Sequence, residues 1–126
     1  MEQPMIGQFI GLLFLARDIA HREHLRVTGP SSFARHTTLG EFYPAIIVLA
    51  DTLAEAYQGR KGIIEDIPFL ENEYGNDIVV ALERQLAWIE ANRYSAVPRE
   101  DTAIQNIIDE IVGQYLSTLY KLKNLQ

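Results

Sequence analysis

Four side chains of this sequence could hold a metal ion together: the imidazoles of His24 and His36 and the carboxylates of Asp51 and Glu55. Imidazole nitrogens and carboxylate oxygens are ligands that suit Fe(II), Mn(II) and Zn(II). Asp51 and Glu55 are four residues apart and therefore share one face of a helix. His24 and His36 lie on either side of a Thr-Gly-Pro break at 28–30. A tight turn at this break would bring the two imidazoles together.

An interpretation without metal is also open for these four residues. Histidines at helix ends can bond to backbone groups, and a buried network of imidazoles and carboxylates can set the register of a dimer without any ion. The third histidine, His21, stands three residues before His24. It is predicted to be a partly exposed helix residue and not a ligand.

Four amphipathic helices must position these side chains, because apolar residues recur at helical spacing in four stretches. The first is predicted to run to about residue 27 and to stop at Gly29-Pro30, and the second follows a cap at Ser31 or Ser32. Pro98 is predicted in the first turn of the fourth helix. The last three helices are predicted at about 32–59, 76–93 and 98–122.

The connections between the helices differ in length. Tight turns join helices one and two, and three and four, whereas residues 60–75 link the two pairs and are long enough to cross a whole bundle. Two hairpins joined by one long crossover form the ferritin-like arrangement. The prediction is therefore an all-α, ferritin-like four-helix bundle in a single domain, 1–126. Pro44 lies inside helix two and is expected to bend it near Gly40 without breaking it.

Helix geometry sets where the four candidate ligands can meet. His36 and Asp51 are fifteen residues apart, which is a net rotation of about 60° but a rise of about 22 Å. Both therefore point broadly the same way, yet one ion cannot reach both in one chain. A two-fold dimer through helices one and two would unite the two pairs at two equal sites and bury the face that carries Ile47 and Ala50.

The segments HREHLRVTGPSSFARH and LADTLAEAYQGRKG resemble the Dps-like miniferritins over about residues 5–62. The family pattern has two histidines twelve residues apart, then an aspartate fifteen and a glutamate nineteen residues after the second histidine. His24, His36, Asp51 and Glu55 stand at these spacings. The resemblance implies an intersubunit di-iron ferroxidase centre. An ordinary ferritin site inside one bundle is absent, because the last two predicted helices carry no Glu-x-x-His pair.

One departure concerns the carboxylate that the miniferritins usually carry four residues after the second histidine. That position is Gly40 here, and the neighbouring Glu41 points about 100° away. The expectation is one well-held ion per site and weak, slow iron oxidation. A second resemblance covers more of the chain: SFARHTTLGEFYPAIIVLADTLAEAYQGRKGI and NIIDEIVGQYLSTLYKLKNL are similar to a family of small tailed-phage proteins without an assigned function.

Composition narrows the classes of partner. The 126 residues carry a formal net charge of −6, no cysteine and 48% hydrophobic residues. The sequence has no basic patch that would indicate a nucleic-acid partner. The absence of cysteine excludes disulfides and thiolate ligands. The apolar run at 9–16 is too short to span a bilayer and follows no basic segment. We expect a soluble, non-secreted protein without a membrane partner, in the cytoplasm, which would be that of the host cell if the protein is viral.

The sequence leaves two functions open. In the first, a homodimer or larger homo-oligomer binds iron, or manganese or zinc in its place, at the site of His24, His36, Asp51 and Glu55, with weak ferroxidase activity. In the second, the chain is a non-enzymatic, dimeric helical phage protein that binds a host or virion protein. No Ser-His-Asp order or glycine-rich phosphate loop supports another enzyme class. Metal content separates the two.

Overall fold

The computed structural model describes residues 5–125, and all regular structure in that range is helical. The four helices are α1 (Met5–Arg26), α2 (Ser32–Lys61), α3 (Ile78–Ala96) and α4 (Thr102–Asn124). The predicted all-α fold with four helices is therefore confirmed. Within the described range, no helix combines the length and the apolar character that crossing a membrane requires.

Aspartates begin the last two helices. The side chain of Asp77 accepts a hydrogen bond from the backbone N–H of Val80, and that of Asp101 accepts one from Ile104. The prediction that Pro98 occupies the first turn of the fourth helix is wrong. Its carbonyl accepts a hydrogen bond from the backbone N–H of Asp101 in the turn before α4. Only the aspartate offers a side-chain oxygen to the free N–H groups of the first turn.

The second helix begins where predicted, at Ser32 after Ser31, but it ends later than predicted. Ser31 occupies the N-cap position, but its φ is 68° and its side chain makes no capping hydrogen bond. The helix continues past Gly59 to Lys61 and stops at Gly62, whose φ of 98° suits a residue without Cβ. The helix is continuous through Pro44, so the expected absence of a break is confirmed.

The packing order of the helices shows how the two hairpins combine. Both α1 and α4 pack against α2 and against α3, whereas the pairs α1–α4 and α2–α3 are diagonal. Arg60, at the end of α2, pairs with Asp101 at the start of α4 at 3.0 Å. Lys121, near the end of α4, pairs with Glu41 near the start of α2 at 3.4 Å. These two ion pairs show that α2 and α4 are antiparallel.

The segment 62–77 runs along the outside of α1 from one end to the other. Gly7 faces the backbone carbonyl of Asp66, and Gly11 faces that of Pro68. At the far end, Arg26 donates a hydrogen bond of 2.5 Å to the side-chain oxygen of Asn76. The predicted crossover is therefore present. It delivers α3 to the end of the bundle opposite to that where α2 stops.

The buried faces of all four helices form one hydrophobic core. Tyr115 lies wholly inside it, with its ring edge-on to Phe42 at a centroid distance of 5.3 Å. Its hydroxyl donates a hydrogen bond of 2.8 Å to the side-chain oxygen of Gln85. Phe9 packs edge-on against Trp88 at 5.9 Å. Phe14 and Tyr120, by contrast, are 39% and 59% exposed.

Candidate functional site

The turn between α1 and α2 brings the two predicted imidazole ligands into contact. His24 lies in the last turn of α1, and His36 lies near the start of α2. Their rings stack with a centroid distance of 3.8 Å and an angle of 16° between planes. His24 is half-buried, whereas His36 is exposed. The expectation that a tight turn joins this pair is confirmed.

Each of these histidines is bonded to the backbone of the other. His24 Nδ1 lies 2.7 Å from the carbonyl oxygen of His36, and His36 Nδ1 lies 2.8 Å from the carbonyl oxygen of His24. A carbonyl oxygen can only accept, so each Nδ1 carries hydrogen and donates. His24 is in the last turn of α1, where helix carbonyls lack partners in the helix, and the imidazole of His36 supplies one. In the neutral rings, both Nε2 atoms keep a free lone pair.

Two more rings extend the stack along α1 and α2. His21 lies on Tyr43 with a centroid distance of 4.2 Å and an angle of 9°. The ring of His24 lies 5.4 Å from that of Tyr43, at 56°. We call His21, His24, His36 and Tyr43 the ring cluster. His21 is half-buried, as expected of a partly exposed helix residue.

Sequence reasoning did not predict that Tyr43 belongs to this cluster. The signal was present, because Tyr43 stands seven residues after His36. Seven residues are about two helical turns, so both residues lie on nearly the same face of α2.

Gly40 makes room for the ring of His24. A Cβ at Gly40 would lie 2.9 Å from Cε1 and 3.1 Å from Nδ1 of His24. A side chain at this position therefore conflicts with the ring as it is placed. The carboxylate that the miniferritin pattern carries here has no space while His24 bonds to the backbone of His36.

The predicted carboxylate ligands lie elsewhere on the chain. Asp51 and Glu55 are exposed on α2, one turn apart. Among residues 5–125, no group of three or more histidine, aspartate or glutamate side chains is placed to hold a metal ion. Within one chain, the histidine pair and the carboxylate pair therefore lie apart and do not form one site. The intersubunit site stays a prediction.

The expected dimer face needs one correction. Ala50 is wholly buried in the core of its own chain, so a dimer cannot bury it further. Ile47 is only half-buried and packs against the core. The outer surface of α2 near Asp51 and Glu55 instead exposes Pro44 and Val48, the latter to 62%. Ala50 was wrongly assigned to the dimer face, because it lies four residues after Ile46 and shares the face of α2 that turns towards the core.

The stacked rings limit how an ion could be held. A metal ion bound to imidazole lies near the ring plane, at about 2.0–2.1 Å from the nitrogen. With the rings of His24 and His36 nearly parallel and 3.8 Å apart, one ion cannot lie in both planes. In this arrangement each ion would take one of the two imidazoles.

A comparison with known proteins places most of the chain in one family. Residues 24–122 match a family of unknown function (DUF5856), and this range includes His24, His36, Asp51 and Glu55. No curated protein and no solved structure matches the chain. The resemblance to Dps-like miniferritins therefore has no counterpart among these matches. The chain belongs to DUF5856, a family of unknown function.

Proposed function

We propose that this protein forms a two-fold dimer, alone or within a larger homo-oligomer, and binds a divalent transition metal between copies. His36 Nε2 of one copy, next to His24, would face the carboxylates of Asp51 and Glu55 of the other. The observation that carries this proposal is the pair of reciprocal bonds between His24 and His36. Metal-ligating histidines usually donate their second ring N–H to a carbonyl or carboxylate, which orients the ring and leaves the other nitrogen for the ion.

The carboxylates support the same proposal. Asp51 and Glu55 are exposed, one turn apart, and neither makes an ion pair or side-chain hydrogen bond with the described residues. Two free carboxylates and one imidazole form a ligand set that suits Fe(II), Mn(II) and, less selectively, Zn(II). Because about 22 Å of helix separates His36 from Asp51, only another copy of the chain can complete this set.

The chemistry that such a site supports is binding of metal with slow oxidation of iron at most. The stacked rings allow one imidazole per ion, and Gly40 supplies no carboxylate to bridge towards a second ion. The single long crossover is the connectivity of ferritin-like folds, which agrees with a Dps-like origin of the site. The net charge of −6 gives the chain no overall attraction to DNA, so binding of DNA is not part of this function.

Metal content and thermal stability test the proposal together. Protein prepared without chelator is dialysed against Zn(II), Mn(II) or, under nitrogen, Fe(II), and bound metal per chain is measured by mass spectrometry. Binding to the folded dimer should raise its melting temperature. His36→Ala and Asp51→Ala should each remove that rise and the bound metal. Glu90→Ala, which removes an exposed carboxylate of α3, should keep both. An unchanged melting temperature with all three metals would refute the proposal.

Mixing the variants tests whether the site is shared between copies. His36→Ala and Asp51→Ala chains, mixed and reannealed, should form heterodimers in which one of the two sites keeps all its ligands. Half of the metal per heterodimer should then return. No recovery of bound metal in a mixture that light scattering shows to be dimeric would contradict a site shared between copies.

A second candidate function is supported by apolar side chains on the surface. Leu25 and Phe33, beside the α1–α2 turn, are 70% and 81% exposed, and Phe69 of the crossover is fully exposed. Exposed apolar side chains of this size, where they form a patch, mark protein–protein contacts. In this function the chain is a helical module that binds a host or virion protein without metal. This function would be favoured if Phe33→Ser no longer captured the partner and if metal-free wild-type protein captured it fully.

A further inference from the structure

A cavity lies between α1, the crossover and α3, away from the ring cluster. Its volume is about 360 Å³, which is within the range of pockets that hold small ligands. Apolar side chains form its walls: Leu12 and Leu15 from α1, Leu70 from the crossover and Trp88 from α3. The edge-on contact with Phe9 holds the indole of Trp88 against the core. The cavity therefore offers one fixed aromatic surface to a ligand.

Gln85 gives this apolar cavity an oriented polar group. Its side chain lines the cavity, although the residue is only 5% exposed. The hydroxyl of Tyr115 donates a hydrogen bond of 2.8 Å to Gln85 Oε1. Tyr115 is wholly buried, and burial raises the pKa of its phenol far above the ordinary value, so that it remains a donor. A buried hydroxyl needs an acceptor, which fixes Oε1 towards Tyr115 and turns the NH₂ group of Gln85 the other way.

The NH₂ group of Gln85 donates to no other described residue. Nevertheless, no wholly buried side-chain nitrogen or oxygen atom in the described part of the chain lacks a partner. The amide nitrogen must therefore reach open space, and the open space that Gln85 lines is the cavity. A donor placed in this way is satisfied by a water molecule or by the oxygen of a ligand.

The rim of the cavity carries charges of both signs. Arg84 is the cation, and its guanidinium carbon lies 6.0 Å from the centre of the Tyr74 ring. Glu71 and Glu73 are the anions. One positive and two negative charges at the entrance give no net attraction to an anion and leave the apolar interior to select the ligand.

We propose that this cavity binds a small, uncharged aromatic compound that carries a carbonyl oxygen. The aromatic ring lies against Trp88, Leu12 and Leu15, and the carbonyl oxygen accepts a hydrogen bond from Gln85 Nε2. Tyr115 is a positioning residue for that donor and does not touch the ligand. This site is independent of the metal site proposed above, because the two share no residue.

Benzamide and toluene are suitable probes, because both carry one benzene ring and only benzamide carries a carbonyl oxygen. Trp88 is the only tryptophan of the chain, so its indole N–H gives one NMR signal that reports on the cavity. Benzamide should shift the signals of the Trp88 indole and of the Gln85 NH₂ group with one common saturation curve. Toluene should bind about tenfold more weakly, as expected for the loss of one hydrogen bond. Equal affinities, or no saturable shift with benzamide, would overturn the proposal.

Two variants test how Gln85 is oriented. Tyr115→Phe frees the amide to rotate, so benzamide should lose several-fold in affinity while toluene keeps its own. Gln85→Met alone would leave the hydroxyl of Tyr115 without an acceptor and could unfold the chain. The double variant Gln85→Met, Tyr115→Phe removes donor and hydroxyl together, and it should bind both probes with equal affinity. Benzamide affinity at the wild-type level in a double variant with native helix content would refute the role of Gln85.

Discussion

The ring of His24 occupies the space that a side chain at position 40 would need: a Cβ on Gly40 would lie 2.9 Å from His24 Cε1. The two positions are coupled because the His24 ring is held by its bond to the carbonyl of His36 and by the stack on that residue. The same glycine lies four residues before Pro44, where the proline ring crowds the preceding turn. Gly40 thus leaves room for the His24 ring, and its backbone lies in the turn that the proline ring crowds.

Gly40→Ala should displace the His24 ring rather than unfold the protein. Alanine favours the helix over glycine by about 0.8–1.0 kcal/mol, and the lost hydrogen bond costs about 0.5–1.5 kcal/mol. The net change in the free energy of unfolding should therefore be small. The bond to the His36 carbonyl should protect the Nδ1 proton of His24 from exchange in the wild type, and the NMR signal of this proton should disappear in Gly40→Ala. Gly59→Ala is the control, because its Cβ would meet no atom within 4 Å. If the Nδ1 proton persists in Gly40→Ala, the ring is not held as described.

The two stacked imidazoles should be energetically coupled. Single changes of His24 or His36 to alanine each remove one bond to a carbonyl and also the stack. We expect each to cost about 1–2 kcal/mol in urea unfolding, and the pair to show a coupling energy of about 0.5–1.5 kcal/mol. A cycle of His21 with His36 serves as the comparison and should be nearly additive. Additivity of the His24 and His36 changes would contradict the contact.

Gly7 and Gly11 should be required for the crossover to lie against α1. A Cβ at Gly11 would come within 2.6 Å of the backbone oxygen of Pro68, and one at Gly7 would meet that of Asp66 still more closely. Backbone cannot move aside as a side chain can, so alanine at either position should cost about 1–3 kcal/mol or more. Gly113→Ala, on the open face of α4, should instead stabilise the fold by about 0.5–1 kcal/mol. Equal effects at the three positions in thermal melts would show that the crossover does not touch α1.

Tyr115 should make the fold sensitive to alkaline pH. Burial raises the pKa of this phenol in the folded state, so the unfolded chain loses this proton first, near its ordinary pKa of about 10. The stabilisation is therefore fully present below about pH 10 and decreases as the pH rises further, by up to about 1.4 kcal/mol per pH unit. Urea unfolding at several pH values should show this loss in wild type. Tyr115→Phe should be less stable at pH 8, but its free energy of unfolding should fall less steeply above pH 10 because the titrating phenol is gone. An equally steep fall in both proteins would show that Tyr115 does not cause the alkaline loss of stability.

Local patterns in the sequence predicted most of the architecture. The apolar spacing predicted four helices, and the contrast between short turns and the 60–75 segment predicted the crossover. These inferences succeed because helix periodicity and chain length are local properties. The misplaced start of α4 has a local cause too. Both Pro98 and Asp101 can begin a helix, and the contacts of the turn selected Asp101.

The candidate site was predictable in part. Residue spacing paired His24 with His36 and placed Asp51 beside Glu55, because a tight turn and one helical turn each act over short distances. Spacing could not show the reciprocal bonds, nor the place of Tyr43 beside His21. These depend on how far α1 and α2 approach each other and on the rotation of each helix about its axis.

By itself, the sequence determined which residues form helices, where the chain turns and which pairs of ligand-type side chains are neighbours. Only the tertiary structure decided that Ala50 faces the core, that the His24 ring fills the space beside Gly40 and that Gln85 turns its NH₂ group into a cavity. The physical reason is that these features join residues from separate helices. Their contacts depend on the packing of whole helix faces, and no local pattern of the sequence encodes that packing directly.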